Sequence, residues 1–356
     1  MPPKFTEIEV EGRRLKLTNL EKIMYPAAGF TKGRLIEYYA SIAPALLPHL
    51  HDRPLTLKRY PEGVNGFHFY EKNCPAHRPD WVKTARIWSP GNNRWMQYCM
   101  VQDLPTLVWA GNLADVELHT SLSLARDILK PTVLAFDLDP GPPANIVQCC
   151  QVGLWLRGVF AELGMEAYPK TSGSKGLQVY VPLNTAVSYD ETKPFAKAIA
   201  RLFELHHPEL VVSDMKKSLR VGKVLVDWSQ NDDYKTTVCV YSLRAREQPT
   251  VSTPLKWEEV AGATKKADPE LLVFDSQQAL ARVEKMGDLF EPVLARKQKL
   301  PSLEKLEAAV SMIMAQGGSG SRPLPPAPTP RRPAAPRQSS PRTSRGIGKP
   351  RKSGRK

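Results

Sequence analysis

Two aspartates in the stretch Thr132–Pro140 constrain this chain more than any other feature. Val133, Leu134, Ala135 and Phe136 form a short apolar run of the kind that buried strands are made from, and Pro140 with Gly141 ends it. Side chains two apart on a strand leave from the same face, so Asp137 and Asp139 emerge together where the strand stops. Carboxylates that close repel each other unless a cation lies between them. Hard divalent cations take oxygen ligands of this kind, and a pair of such ions can clamp the oxygens of a phosphoryl transfer. The same Asp-x-Asp is also compatible with turn chemistry or a helix cap, so the rest of the chain has to decide.

Three further features bear on it. Asp227 stands at the end of a second strand-like run, Lys223 to Trp228, and a third carboxylate reaching the same place would complete a set able to hold two metals. Ser172, Gly173, Ser174, Lys175 and Gly176 supply small residues, hydroxyls, free backbone N–H groups and one ammonium, a mixture that cradles phosphate oxygens. The loop is not a Walker loop, because a strand follows it and the glycine-lysine frame is missing. Arg220, Lys223 and Arg244 flank the Asp227 run, and arginine suits bidentate phosphate binding. Lys22, Lys32, Lys58 and Arg59, with Phe69 and Tyr70, mix charge with aromatic rings as strand-binding surfaces do. Taken singly, each has a plainer reading: a strand-end polar residue, a solvated turn, a surface cation, a core aromatic, and for His119 a structural histidine. Their order along one chain points to phosphate chemistry.

The surrounding pattern predicts a mixed α+β fold. Helices are expected from Thr31, a capping residue, to about Leu50, bent or shortened by Pro44 and Pro48, and over 104–118, 145–163, 191–206 and 302–315. Strands are expected around 53–60, 67–72, 132–140, 167–168, 177–182, 223–228 and 238–243. The region 74–100 reads as loop-rich. Cys74, His77 and Cys99 lack a fourth ligand and paired spacing for zinc, and all five cysteines are expected to be free thiols in a reducing cytosol. With no apolar run of about 18 residues and no apolar leader, the chain is expected in the cytoplasm and not in a membrane. The net charge of +14 is concentrated at one end: residues 317–356 hold 11 Lys and Arg and no acid, leaving +3 for residues 1–316. That Pro/Arg-rich segment has too few apolar residues to fold. The expected organisation is a folded domain over 1–300, in an N-terminal part (1–125) and a part carrying the three aspartates (126–300), then a short helix (301–316) and a basic tail (317–356).

Longer strings carry a resemblance. Leu17-Thr18-Asn19-Leu20-Glu21-Lys22, Phe69-Tyr70-Glu71-Lys72, Glu117-Leu118-His119, Phe136-Asp137-Leu138-Asp139-Pro140-Gly141, Thr171 to Gly176, Lys217-Ser218-Leu219-Arg220, Val226 to Asn231 and Tyr241-Ser242-Leu243-Arg244 together resemble the archaeo-eukaryotic primase superfamily. Within it they are similar to the polymerase domain of bacterial DNA ligase D, over about residues 15–290, which implies a DNA-binding side in 1–125, a catalytic side in 126–300 and association with the nucleoid. The resemblance implies a primase-polymerase fold with a mixed, largely antiparallel central sheet. It also implies template-dependent nucleotidyl transfer in which Asp137, Asp139 and Asp227 hold two Mn²⁺ or Mg²⁺ ions. A primer 3′-hydroxyl attacks the α-phosphate of an incoming nucleoside triphosphate (NTP or dNTP), ribonucleotides being preferred. It implies nucleotide contacts from Lys58, His119, Ser172, Ser174, Lys175, Gln178, Arg220, Gln230 and Arg244. Lys22 and Lys32 match lysines that hold a downstream 5′-phosphate, and Phe69 and Tyr70 match an aromatic pair stacked where the template turns.

Two departures stand out. Gln178 occupies a position where histidine is usual, and Gln hydrogen-bonds but carries no charge. No ligase or phosphoesterase module is expected to follow, so the chain looks like free-standing relatives that act beside a ligase of the C or D type and Ku, as a monomer, in end joining or excision repair. A two-metal nuclease and a catalytically inactive DNA-end-binding scaffold are the competing readings; the triphosphate cradle speaks against the first.

Overall fold

Val133–Pro140 is the middle strand of a five-stranded sheet in a computed structural model that describes residues 5–89 and 93–315. Across the sheet the order is Tyr168–Thr171, Leu177–Pro182, Val133–Pro140, Val224–Asp227 and Val211–Val212. All pairs are antiparallel except the last. Alternation on the middle strand assigns its faces. Leu134, Phe136 and Leu138 are fully buried against Val152, Leu156 and Phe160 of the helix Ile146–Glu162 and Phe195, Ile199 and Phe203 of the helix Tyr189–His206. Val133 and Ala135 point the other way, into a second core, and Asp137 and Asp139 continue that face.

The second core belongs to a six-stranded sheet. Thr237–Val238, Asp115–Thr120, Leu55–Arg59, Arg94–Cys99 and Thr84–Ser89 run in that order, and Phe69–Glu71 also pairs with Leu55–Arg59. The helices Lys32–Leu50 and Leu104–Asn112 contribute Leu35, Tyr39, Leu46, Leu107 and Val108 to its core. Two of these helices start where the chain offers a cap: Thr31 Oγ1 accepts from Arg34 N, and the side chains of Asn145 and Gln148 form a reciprocal capping box. The helix Leu303–Ala315 falls where the sequence predicts one.

Several expectations are corrected. Cys74 and Cys99 are not free thiols but a disulfide; Cys149, Cys150 and Cys239 are free and buried. With both sulfurs committed, Cys74, His77 and Cys99 make no metal site. The loop-rich region contains the antiparallel hairpin Thr84–Ser89/Arg94–Cys99. The helix predicted over 104–118 stops at Asn112; Ala114 takes a left-handed φ of 59° and the chain turns into the strand Asp115–Thr120. The strand predicted over 238–243 is reduced to Thr237–Val238. Pro44 and Pro48 do not shorten their helix, which runs to Leu50. The basic tail, residues 317–356, lies outside the described residues.

Candidate active site

The two sheets leave a cleft of about 560 Å³ between them, and Asp137 and Asp139 face into it. Its far wall is Thr56, Tyr70 and His119 from the six-stranded sheet; Ser172, Ser174, Lys175, Gln178, Gln230 and Arg244 complete the near side. Register decides which carboxylates meet. Asp227 is the direct cross-strand partner of Asp137, so both leave the sheet on one face, with Asp139 two residues further along. Burial, then the neighbouring charges of Asp139 and Asp227, push the Asp137 carboxyl up to about 7. Burial and Asp227 raise Asp139 as well, against the pull of Arg220 and Arg244.

Among the described residues no three His, Cys, Asp or Glu side chains close into a finished cage for a cation. The reason is local. Asp227 spends both oxygens on its own strand end, Oδ1 accepting from Ser229 N and Oγ (2.8 and 2.7 Å) and Oδ2 from Gln230 Nε2 (3.0 Å). Asp137 Oδ1, by contrast, is buried with no hydrogen-bond partner at all. An orphaned carboxylate oxygen amid like charges is a donor set that fits a hard divalent cation.

Close backbone approach builds the Ser172–Gly176 loop. A Cβ on Gly176 would lie 2.2 Å from Leu138 O, so only glycine lets the loop reach the aspartate strand. Ser172 Oγ accepts from Ser174 N and Gly176 N (3.2 and 3.1 Å), which curls the loop and leaves Ser174 and Lys175 exposed at its tip. Arg244 clamps it from behind, Nη1 donating to Ser172 O at 2.5 Å. Gly141 makes a similar contact with Arg220 O, at 1.8 Å from an added Cβ, and so brings Arg220 beside the end of the aspartate strand.

Glu117, 2% exposed, organises the opposite wall, and sequence reasoning gave it no role. Its Oε2 meets Lys58 Nζ (3.2 Å), His119 Nε2 (2.9 Å) and Arg244 Nε (3.4 Å), while Oε1 accepts from Ala245 N (3.0 Å). Burial alone would push this carboxyl up, but the His119 hydrogen bond and the Arg244 and Lys58 charges outweigh it and hold it well below the usual carboxylate range. Three residues matched to nucleotide contacts thus share one buried counter-charge. The Glu-x-His alternation on a strand was the available signal.

Lys22 and Lys32 stand apart from this cleft. With Arg14, Lys16 and Arg59 they line a second cavity of about 520 Å³. Lys32 is buried, its Nζ donating to Thr18 O (2.7 Å); burial, then Lys22 and Arg59, lower it to about 8. Phe69 and Tyr70 stand on the strand that pairs with Leu55–Arg59. Adjacent on a strand, they take opposite faces: Tyr70 meets His119 edge-on at 5.7 Å in the cleft between the sheets, while Phe69 lies beside Phe67 and under Arg59.

Residues 31–290 match the family model of the LigD primase-polymerase domain. The multifunctional non-homologous end joining protein LigD of Mycolicibacterium smegmatis is 38% identical over 301 residues, which is 84% of this chain and 38% of that protein. The bifunctional LigD of Bacillus subtilis is 32% identical over 275 residues, 77% of this chain and 43% of that one. The chain therefore spans about two fifths of the length of these relatives. Among solved structures, the polymerase domain of Mycobacterium tuberculosis ligase D, determined in complex with DNA, superposes with a TM-score of 0.73 at 37% identity, covering 80% of this chain and 99% of that one. On the strength of the family match and these identities, the chain belongs to the LigD primase-polymerase domain family, a family of nucleotidyltransferases.

Proposed function

We propose that this protein is a DNA-repair primase-polymerase that adds nucleotides, ribonucleotides by preference, to a primer 3′-hydroxyl at short gaps or broken ends. The observation that carries the reading is the single-face register of Asp137, Asp139 and Asp227 opposite a loop and arginines suited to a triphosphate. Asp137, Asp139 and Asp227 would hold two divalent ions, Mn²⁺ or Mg²⁺, which supply charge neutralisation and activation of the attacking oxygen when bound. The chain's own groups do the positioning. Ser172, Ser174, Lys175 and the loop N–H groups receive phosphate oxygens, Arg220 and Arg244 add charge, and Glu117 keeps Lys58, His119 and Arg244 in place. Gln230 holds Asp227 at the strand end.

The Lys22–Lys32 cavity supports recognition of a 5′-phosphate on the downstream strand, and Tyr70, 58% exposed, offers a ring to a base. Partners would be gapped or broken DNA and a ligase of the C or D type, with Ku in end joining; the protein would act as a monomer. A labelled primer on gapped DNA, with Mn²⁺ and either ribo- or deoxynucleotides, tests the reading. Lengthening, faster with ribonucleotides and with a 5′-phosphate across the gap, is expected. Shortening alone would mean a nuclease, and no change in either direction a binding scaffold.

A further inference from the structure

We propose that Lys170, which lies behind the nucleotide cleft, is a positioning residue that locks the amide of Gln178 with its oxygen turned away from the cleft and its NH₂ group presented to Asp137 and the bound nucleotide. The inference deepens the polymerase reading and rests on it.

Lys170 is fully buried, at 0% exposure. An ammonium is costly to bury, and a methionine would fill the same space without that cost, so the choice of residue needs a reason. Its three N–H bonds are all spent on neutral acceptors: Gln178 Oε1, Ser252 Oγ at 2.7 Å and Val238 O at 3.2 Å. Ser252 has no freedom to turn, because its own hydroxyl donates to Thr171 O at 2.9 Å and leaves only a lone pair for the lysine.

Register carries the effect forward. Lys170 is the cross-strand partner of Gln178, Gln178 of Asp137, and Asp137 of Asp227, so a single polar row crosses four strands. A glutamine amide has two ends of nearly equal shape, one donating and one accepting, and left alone it can present either. An ammonium has no acceptor, so the end of the amide facing a charged Lys170 must be the oxygen, as it is here. The NH₂ group is then committed to the other side, toward its cross-strand partner Asp137, whose carboxyl it helps to hold down, and into the cleft that Gln178 lines. At a position where the family resemblance leads one to expect histidine, the pair thus gives a neutral side chain a fixed donor polarity.

The test uses the full chain in primer extension on gapped DNA with varied nucleotide, comparing wild type, Lys170→Met, Gln178→Ala, the double variant and Ser252→Ala. Lys170→Met is expected to raise the nucleotide KM by about tenfold, the size of one hydrogen bond to a charged group, with much less change in kcat. The double variant should be no worse than Gln178→Ala alone, since both changes remove one device. Ser252→Ala, which takes away one acceptor of the ammonium, should move KM the same way by less, and it carries the test if melting curves show that the methionine variant is unfolded. Losses that multiply in the double variant, or a folded Lys170→Met or Ser252→Ala protein with unchanged KM, overturn the proposal and leave the polymerase reading intact. A wild-type protein that extends no primer overturns both.

Discussion

Asp137 and Lys32 are the two residues whose surroundings most restrict what they can do. Asp137 has two carboxylates beside it and an unpartnered oxygen, so its charge is a cost to the fold until a cation arrives. Asp137→Asn should therefore abolish nucleotide addition while raising the melting temperature of the metal-free protein by a few degrees, each ~1 kcal/mol being worth roughly 2–4 °C in a chain of this size. The same variant should lose most of the stabilisation that Mn²⁺ gives wild type in a melting experiment. Lys32, lowered to about 8 by burial and by Lys22 and Arg59, is a cation that fades at mildly alkaline pH. A lysine whose folded pKa is depressed binds fewer protons in the fold than in the unfolded chain between pH 8 and its ordinary value. This group therefore lets the fold gain stability as pH rises through that window. Anion binding moves the other way. Preference for 5′-phosphorylated over 5′-hydroxyl DNA, measured by titration, should fall as pH rises through 8, and Lys32→Arg should flatten that dependence.

Elements were legible where local chemistry alone decides them. Thr31 caps a helix, and the run Val133–Phe136 with Pro140 behind it makes a strand whatever else the chain does. The hairpin Thr84–Ser89/Arg94–Cys99 was missed because Trp88 and Trp95 sit 44% and 53% exposed, which spoils the apolar-in, polar-out alternation. The Cys74–Cys99 bridge was missed because a separation of 25 residues says nothing about proximity until that hairpin folds. The loop after Thr171 was readable as a phosphate cradle, yet its dependence on Gly176 shows only against Leu138. Gly176→Ala should push the loop off the aspartate strand. A loss of about a hundredfold in kcat/KM is expected from such a displacement. Urea unfolding should show a penalty of about 1–3 kcal/mol from the overpacked backbone.

For the molecule as a whole, the candidate site is a product of pairing between distant segments. Asp137 and Asp139 declared themselves in sequence, but the approach of Asp227 and the sharing of Glu117 among Lys58, His119 and Arg244 need strands far apart in the chain, and the local Lys170–Gln178 pair acquires its place only when its hairpin joins the aspartate strand. The basic tail lies outside the described residues, and its composition alone supports a role as a sequence-independent tether. Deleting residues 317–356, which hold 11 cations, should weaken DNA binding at low salt and make the plot of log K against log salt less steep; an unchanged slope would dismiss the tether.

The polar row across the five-stranded sheet also limits how the gene for such a protein can drift. Lys170, Gln178, Asp137 and Asp227 alternate along their strands with side chains such as Phe136, Leu177, Val179 and Val226, which are packed under the helices. Inserting or deleting a single codon between positions 133 and 139 would exchange the two faces, driving carboxylates into the Phe160 layer and phenylalanine into the cleft. Codons within the strand can change identity but not number, so variation in length is confined to the connecting loops.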